Sequence, residues 1–428
     1  MSLVLDSGEP NISPPLCPHG PTLLFRKVSD GALRKRPKSK TPNKLYYACS
    51  ASRDIKFCSF YCERDQWIKD CSKILGKPKK FNDSTNYQYL LNNTQSRLGF
   101  CHDCCRVIVD EKFNICKQHK LNFHSNCNNV DYNVDCANYF RLPTKLLQAE
   151  TQNKNQAQYF FSENIIESIL KYVVDLFRFD KIICIGCPTI HEQILCGRKN
   201  VDSILLDIDQ RFEQFYPPTQ FILFNMFNGH FFNQDGDKRL REFIKQSDKV
   251  LLLIDPPFGG LVECLSRTIE KFCSTYFQNI LPSTILFFPY FNEHWITRAF
   301  KQQLKITDFI VTYLNHGKFR SKSDKPECSP VRIFTNISQI EFNFIDSNQK
   351  LYRWCNVCRR VVFKTNKHCN VCCACTARDA TKAYHHCVDC GVCVKSSWSH
   401  CVKCFQCHLT GTGCREQSID SAKRFKTK

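Results

Sequence analysis

The sequence predicts an α/β fold with a Rossmann-like domain, flanked by N-terminal zinc fingers and a C-terminal zinc-binding array. Between about residues 150 and 345, apolar strands alternate with helical stretches, which is the pattern of an open parallel sheet. The chain has 30 cysteines, and most of them lie outside that segment. The net charge is +20, yet residues 151–330 hold 21 basic and 20 acidic residues. The positive charge therefore lies mainly in the cysteine-rich flanks.

The cysteine content and the hydropathy of the chain indicate which class of protein it belongs to. The start of the chain, Met1 to Pro15, is polar and lacks the basic and apolar regions of a secretory signal. No apolar run reaches the length of a membrane span. We therefore expect a non-secreted protein without a membrane partner, whose cysteines bind zinc rather than form disulfides. Basic clusters at 34–40 and 77–80 predict a polyanionic partner such as a nucleic acid.

The first module is predicted at residues 10–72. Its donors have the types that tetrahedral zinc prefers, and they are Cys17, His19, Cys49 and Cys58. The segment resembles a GRF-type zinc finger, a module that binds single-stranded nucleic acid. Aromatic residues for base stacking or core packing are Tyr46, Tyr47, Phe57, Phe60 and Trp67. Cys62 and Cys71 remain, and we interpret them as ordinary buried thiols.

A second, C2H2-like finger is predicted at residues 95–130. Cys101 and Cys104 form a CxxC knuckle. Their partners come from Cys116, His119 and His124. Cys116 with His119 is the preferred pair, because it keeps the loop near the length found in such fingers, whereas His119 with His124 gives a longer loop.

The central domain is predicted at residues 150–345, with one leading helix and five strands. The helix is expected over residues 162–177, with apolar positions at Ile165, Ile166, Ile169, Leu170, Val173 and Val174. The strands are expected at Lys181–Gly186, Val201–Asp207, Phe221–Phe224, Val250–Ile254 and Thr284–Phe288. Ligands of such sheets bind at the carboxyl ends of the strands, which directs attention to the residues that follow each strand.

The segment after the fourth strand predicts chemistry on an exocyclic amine. The side chain of Asp255 and the carbonyl of Pro256 can both accept hydrogen bonds from an adenine amino group, whose delocalised lone pair makes it a poor nucleophile. Pro256 and Pro257 restrict the backbone that aims these acceptors. Phe258 can stack on the base, and Gly259 and Gly260 allow close approach to the backbone. Asp-Pro-Pro is also a common way to end a strand.

Residues after the first two strands predict the cofactor. Gly186 allows close backbone approach, and Asp207 is placed to bind two ribose hydroxyls. Together they indicate the S-adenosylmethionine site of a class I methyltransferase. The alternative, a nicotinamide dinucleotide, leaves Asp255 and Phe258 without a role.

A threefold His-Cys-x-x-Cys-x-x-Cys repeat occupies the predicted array at residues 350–416, followed by a basic tail at 417–428. Interleaving the repeats predicts four zinc sites, each with three cysteines and one histidine. The sets are Cys355, Cys358, His368 and Cys375; Cys369, Cys372, His386 and Cys393; Cys387, Cys390, His400 and Cys407; and Cys401, Cys404, His408 and Cys414. With the two N-terminal fingers, about six zinc ions are expected. Each structural zinc contributes on the order of 10 kcal/mol to folding, which suits a segment with little apolar core.

The array also resembles the cysteine-rich region of DHHC palmitoyltransferases. Here that motif is Tyr384-His385-His386-Cys387, which lacks the acidic residue. Without membrane spans or that acid, the array is better interpreted as a rigid zinc scaffold packed against the central domain.

The order of modules resembles the zinc-finger CCHC-domain rRNA adenine-N6 methyltransferase family across almost the whole chain. Segments that carry the resemblance are Leu206–Asp209, Asn225–Asn228, Asp255–Glu263, Phe288–Phe291 and Ser329–Asn336. The resemblance implies methylation of one adenosine in large-subunit ribosomal RNA, with S-adenosylmethionine as cofactor and the fingers recognising structured RNA. It further implies that the cofactor is enclosed by Gln158, Tyr159, Phe160, Phe161, Asn225, Met226 and Phe227, together with Asp255.

The resemblance also predicts where the protein acts and with which partners, and two alternative functions remain. A ribosomal RNA enzyme is expected in the nucleolus and cytoplasm, with ribosome-assembly or translation factors as possible partners. One alternative is methylation of other RNA or of DNA. The other is a non-catalytic RNA-binding ribosome factor, which the intact Asp255 and Phe258 disfavour.

Overall fold

A computed structural model describes residues 2–5, 13–28, 44–51, 58–70, 98–101, 105–109, 121–122, 141–149, 158–175, 177–197, 200–245, 247, 249–316, 329–338 and 351–409. The predicted basic clusters at 34–40 and 77–80, Cys71 and the basic tail lie outside these residues. None of the helices in the described part of the chain is long and apolar enough to cross a membrane.

The N-terminal finger is built on a four-stranded antiparallel sheet and a two-stranded hairpin. Its sheet has the order β1-β4-β5-β6, and the hairpin pairs β2 with β3. The elements are β1 (Ser2–Leu5), β2 (Leu16–Cys17), β3 (Gly20–Pro21), β4 (Leu23–Val28), β5 (Leu45–Ala48), β6 (Tyr61–Glu63) and helix α1 (Arg64–Asp70). The tight turn between β2 and β3 carries Cys17 and His19, two of the predicted zinc ligands.

A small three-stranded sheet follows where the second finger is predicted. Its order is β8-β7-β9. The elements are β7 (Leu98–Cys101), β8 (Arg106–Val109) and β9 (Leu121–Asn122), and a short helix α2 (Pro143–Leu146) leads into the central domain.

The central domain is an eight-stranded, mostly parallel sheet covered by helices. Its order is β13-β12-β11-β10-β14-β15-β17-β16. The helices are α3 (Glu163–Ile169), α4 (Pro188–Gly197), α5 (Gly236–Ile244), α6 (Val262–Tyr276) and α7 (Glu293–Ala299); a π-helix spans Leu170–Asp175, and 3-10 helices span Gln210–Gln214 and Tyr290–Asn292. The strands are β10 (Lys181–Ile185), β11 (Asp202–Asp207), β12 (Phe221–Asn225), β13 (His230–Phe231), β14 (Val250–Ile254), β15 (Ser283–Pro289), β16 (Lys305–Ile310) and β17 (Val331–Thr335).

All five predicted strands are confirmed as β10, β11, β12, β14 and β15, and they pair in parallel. Residues 251–254 of β14 are fully buried, because helices cover both faces of the sheet, and this explains the unbroken apolar runs. The predicted helix over 162–177 is regular only to Ile169, after which the backbone widens into a π-helix. The antiparallel strands β16 and β17 were not predicted.

The C-terminal array consists of four successive antiparallel hairpins. They pair β18 (Tyr352–Cys355) with β19 (Arg360–Phe363), β20 (His368–Cys369) with β21 (Ala374–Cys375), β22 (Tyr384–Cys387) with β23 (Val392–Lys395), and β24 (Trp398–Cys401) with β25 (Gln406–Leu409). In each hairpin a CxxC pair forms the turn, and the next residue has a positive φ: Arg359, Cys373, Gly391 and Phe405. The sequence repeat is therefore also a repeat of backbone geometry.

Candidate active site and metal centres

Asp255 lies at the carboxyl end of β14, in the middle of the sheet. Its backbone N–H donates to Ile185 of β10 at 3.0 Å, and its Oδ1 accepts a hydrogen bond from the hydroxyl of Tyr313 at 3.0 Å. Burial raises the pKa of Asp255 well above its usual range, the bond from Tyr313 lowers it, and nearby Asp207 raises it further. The carboxyl group is thus held in place and only partly accessible.

Phe258 lies within a group of aromatic rings beside Asp255. Its ring stacks against Tyr159 with centroids 5.7 Å apart and an angle of 23°. The edges of Phe288 and Tyr313 contact it at 5.9 and 6.0 Å. Tyr159 and Phe258 therefore form a stacked aromatic pair beside Asp255. Tyr159 was predicted only as a residue that encloses the cofactor.

The turn after β10 packs closely against Asp255 and Met226 only because Gly186 lacks a side chain. Its φ is +70°, and a Cβ there would lie 2.7 Å from the Asp255 carbonyl oxygen and 2.9 Å from the Met226 Cε. This turn, which we call the Gly186 cradle, lies at the carboxyl ends of the paired strands β10 and β14, where parallel sheets bind their ligands. Met226, predicted to enclose the cofactor, lies at this cradle.

Asp207 ends β11, one strand away from Asp255 across β10. Burial, with the charge of Asp209, raises the pKa of Asp207 to about 7. Its Oδ1 accepts the backbone N–H of Asp209 at 2.9 Å. A buried carboxylate beside a glycine cradle is a suitable acceptor for ribose hydroxyls, so these residues fit S-adenosylmethionine.

A polar cluster that was not predicted surrounds Gln158. Its Nε2 donates to Asp209 Oδ2 at 2.8 Å, and its Oε1 accepts from Arg211 at 3.1 Å. Arg211 also pairs with Asp209 at 2.7 Å. Gln158 is therefore fixed beside the predicted ribose site. The only sequence signal was the repeat of Asp in Leu-Asp-Ile-Asp, where the second Asp was not assigned a role.

Two residues predicted to enclose the cofactor have protein partners for their side chains. Phe161 is 1% exposed and packs in the core against Phe287 and Tyr313. The amide of Asn225 donates to the N-terminal finger, at 2.8 Å from the His19 carbonyl and 3.0 Å from Ser50 Oγ. A contact of Phe161 or Asn225 with the cofactor stays a prediction.

Phe160 and Phe227 are also buried. Phe160 is 8% and Phe227 5% exposed. Phe227 packs so closely on Gly260 that a Cβ there would lie 2.1 Å from the ring. The second glycine of the Pro-Pro-Phe-Gly-Gly turn therefore allows the turn to pack against Phe227. A contact of either phenylalanine with the cofactor stays a prediction.

Among the described residues, the predicted zinc donors form five groups, in each of which the ligand atoms lie within 4.8 Å of one another. These are Cys17, His19, Cys49 and Cys58; Cys355, Cys358, His368 and Cys375; Cys369, Cys372, His386 and Cys393; Cys387, Cys390, His400 and Cys407; and Cys401, Cys404 and His408. Three thiols and an imidazole at this spacing fit tetrahedral zinc. The interleaved grouping matches the prediction for the three complete sets of the array.

The remaining predicted ligands are not described. Cys104, Cys116, His119 and Cys414 lie outside the described residues, and only the backbone of Cys101 is described. The ligands of the second finger therefore stay a prediction. Cys62 is confirmed as a buried thiol, because it is 5% exposed and packs with Leu24, Tyr47 and Trp67.

The N-terminal finger packs directly on the central domain. Phe25 and Ala48 belong to the same buried cluster as the core of the sheet. The amide of Asn228 donates to the carbonyls of His19 and Pro21 at 3.2 and 2.8 Å. The ring of His230 lies against Gly20, where a Cβ would be only 2.5 Å away.

The first hairpin of the array is held on the domain by Asp308, which is 1% exposed on β16. Its carboxylate accepts from Arg360 at 3.2 Å, the Phe363 backbone at 3.0 Å and Asn366 at 2.8 Å. Arg378 lies 3.5 Å from the Asp308 carboxylate. It also pairs with Glu293 through two hydrogen bonds of 2.9 Å. The strand register shifts at this part of β16, a bulge of the kind that re-aims a side chain. The predicted packing of a zinc scaffold against the central domain is thus observed.

Comparisons with known proteins agree with this geometry. Residues 152–336 match the family model described as probable N6-adenine methyltransferase. The chain is similar to the rRNA N(6)-adenosine-methyltransferase ZCCHC4 of Homo sapiens, with 34% identity over 411 residues that cover 87% of this chain and 73% of the relative. The Xenopus tropicalis protein of that name is 34% identical over 392 residues, which cover 86% and 75%. For the Mus musculus protein the identity is 33% over 390 residues, covering 84% and 71%.

Proposed function

Because the chain belongs to the family of rRNA N6-adenosine-methyltransferases of the ZCCHC4 type, we propose that it methylates N6 of an adenosine in ribosomal RNA. The expected substrate is large-subunit RNA. The observation that carries the proposal is the position of Asp255, at the carboxyl end of a central strand, between the Gly186 cradle and the stacked rings of Tyr159 and Phe258.

The residues of this site perform three tasks. Asp255 and the Pro256 carbonyl accept hydrogen bonds from the adenine amine and hold it in place. Phe258 and Tyr159 provide aromatic faces that stack on an unstacked base, which loops and bulges of RNA release most readily. S-Adenosylmethionine, when bound, supplies a methyl group on a positively charged sulfur. Asp207 and Gly186 hold that cofactor, and positioning is the role proposed for Asp255.

The zinc modules supply the affinity for RNA in this proposal. We expect six zinc ions, one in each N-terminal finger and four in the array. The net charge of +20 favours a polyanion and makes binding salt-dependent. A ribosomal substrate places the protein in the nucleolus and cytoplasm, where ribosome-assembly or translation factors are its proposed partners.

The experiment is to incubate the purified protein with labelled cofactor and ribosomal RNA, messenger RNA or duplex DNA. Label in N6-methyladenosine of ribosomal RNA is expected for the wild type, and loss of at least about 100-fold for Asp255→Ala, since positioning contributes many kcal/mol to catalysis. Asp202→Ala is the matched control, because Asp202 begins β11 at the opposite edge of the sheet and is exposed.

The substrate pattern distinguishes the alternatives. Label that prefers DNA or messenger RNA would contradict the ribosomal assignment and keep the enzyme. If no substrate is labelled by the folded, zinc-loaded protein, the chain is a non-catalytic factor.

A further inference from the structure

A tyrosine that sequence analysis did not single out contacts the central carboxylate of the site. Tyr313 is fully buried, and its hydroxyl donates to Asp255 Oδ1 at 3.0 Å. A buried phenol needs a partner for its hydroxyl, and here the partner is the group that receives the adenine amine.

The position of Tyr313 is fixed by the segment before α3. Its backbone forms a β-bridge with Phe161, and the two rings stack with centroids 5.0 Å apart. On one side of the bridge Ser162 bonds the Thr312 carbonyl at 3.1 Å, and on the other Leu314 bonds the Phe160 carbonyl at 2.7 Å. The hydroxyl of Tyr313 is therefore held by rigid elements rather than by a mobile loop.

We propose that Tyr313 is a positioning residue for methyl transfer: its hydroxyl holds one oxygen of Asp255, so that the other oxygen accepts the adenine amine. This inference rests on the proposed function. It also gives Phe161 a role, since Phe161 acts on the site through the ring of Tyr313 rather than by contact with the cofactor.

The hydrogen bond also acts on the protonation of Asp255. An adenine amine has only N–H groups to offer, so a protonated Asp255 would place a donor where an acceptor is needed. Burial raises the pKa of Asp255 and so does the charge of Asp207, whereas the bond from Tyr313 lowers it. The Cys187 thiol also faces Asp255, and burial raises the pKa of Cys187, which keeps it neutral. Of these groups, Tyr313 is the one that favours the carboxylate.

The test is Tyr313→Phe, which removes one oxygen and keeps the ring against Phe161. We expect kcat to fall roughly 10- to 100-fold, the range for a hydrogen bond to a charged group, while the KM for cofactor and RNA changes by less than about twofold. Removing a donor to the carboxylate raises the pKa of Asp255. The acidic limb of the kcat–pH profile should therefore move to higher pH.

Tyr216→Phe is the control, because Tyr216 is also buried but packs against His191 of α4. It should leave kcat and the acidic limb unchanged. A Tyr313→Phe enzyme with wild-type kcat overturns the proposal. A lower kcat without a shift of the acidic limb also overturns it, because lost packing alone would lower kcat in that way.

A measurement that needs no turnover separates this inference from the proposed function. The infrared band of the protonated Asp255 carboxyl is identified as the one missing in Asp255→Asn. Its titration midpoint should lie at higher pH in Tyr313→Phe than in the wild type. An equal midpoint overturns the inference even if the protein methylates RNA, and a raised midpoint supports it even if the RNA substrate is another one.

Discussion

The N-terminal finger and the C-terminal array have the same zinc donors but differ in their relation to the apolar core. In the finger, Cys17, Cys49 and Cys58 are buried, and Phe25 belongs to the core of the central domain. In the array, the first hairpin is held on the domain by Asp308, and each CxxC turn exposes a valine, with Val388 86% and Val402 77% exposed. Zinc bound in the finger would therefore complete an existing core, whereas zinc bound in the array would replace a core.

Loss of one zinc ligand should destabilise more of the protein in the finger than in the array. Cys49→Ser should destabilise the finger and the core of the domain together by several kcal/mol, because structural zinc contributes on the order of 10 kcal/mol. Cys401→Ser, in the last described set, should leave the domain within about 1 kcal/mol of the wild type, since no core depends on it. Calorimetric melting of both zinc-loaded variants checks this. Equal losses of stability in the two variants would contradict the comparison.

The attachment of the array should depend on one buried carboxylate. Asp308→Ala leaves Arg360 and Arg378 without a buried anion, which costs roughly 3–5 kcal/mol. Faster hydrogen exchange is expected in β18, β19 and the Ile310 amide, which bonds the Tyr352 hydroxyl.

Glu270→Ala is the control for this variant. Glu270 pairs with Lys301 at 2.8 Å on the surface, and exposed pairs contribute at most about 1 kcal/mol. Unchanged exchange in the array of Asp308→Ala would show that other contacts hold it.

Two glycines with positive φ, one in each region, differ in the space around them. Gly20 (φ +95°) lies against the His230 ring, whereas Gly391 (φ +65°) has no atom within 4 Å of a built Cβ. Gly391→Ala should cost only backbone strain, about 1–2 kcal/mol, and Gly20→Ala should cost a further 1–3 kcal/mol from overpacking. Urea unfolding of the two variants measures the difference. Equal free energies of unfolding would mean that the finger does not pack tightly on the domain.

The smallest expected effect concerns the polar contacts of the finger. Asn228→Ala removes donors to the His19 and Pro21 carbonyls and should cost about 1–2 kcal/mol, since part-buried acceptors lose their partners. Thr381→Ala removes a hydroxyl that bonds Asp379 on the exposed surface of the array and should cost less than about 0.5 kcal/mol. Thermal melting that ranks Thr381→Ala as the more damaging change would reverse this expectation.

The parts that sequence predicts well are those with local signals. The five parallel strands are unbroken apolar runs, and the zinc sets follow from fixed spacings of Cys and His, so both were found. Tyr313, Asp308 and Asn225 act through partners 58, 52 and about 200 positions away in the chain. No periodicity marks such residues, because their roles arise only when the sheet brings distant segments together. Phe161 shows the converse difficulty, since the sequence does not distinguish an aromatic residue of a site from one of the core, and this one is buried.

Adjacent residues of the array belong to different donor sets, as His368 and Cys369, His386 and Cys387, and His400 and Cys401 show. With zinc bound, a single peptide bond would join each pair of neighbouring sites and leave little room for a hinge. The array should therefore transmit force as a stiff rod, with its far end kept at a constant distance from Asp308.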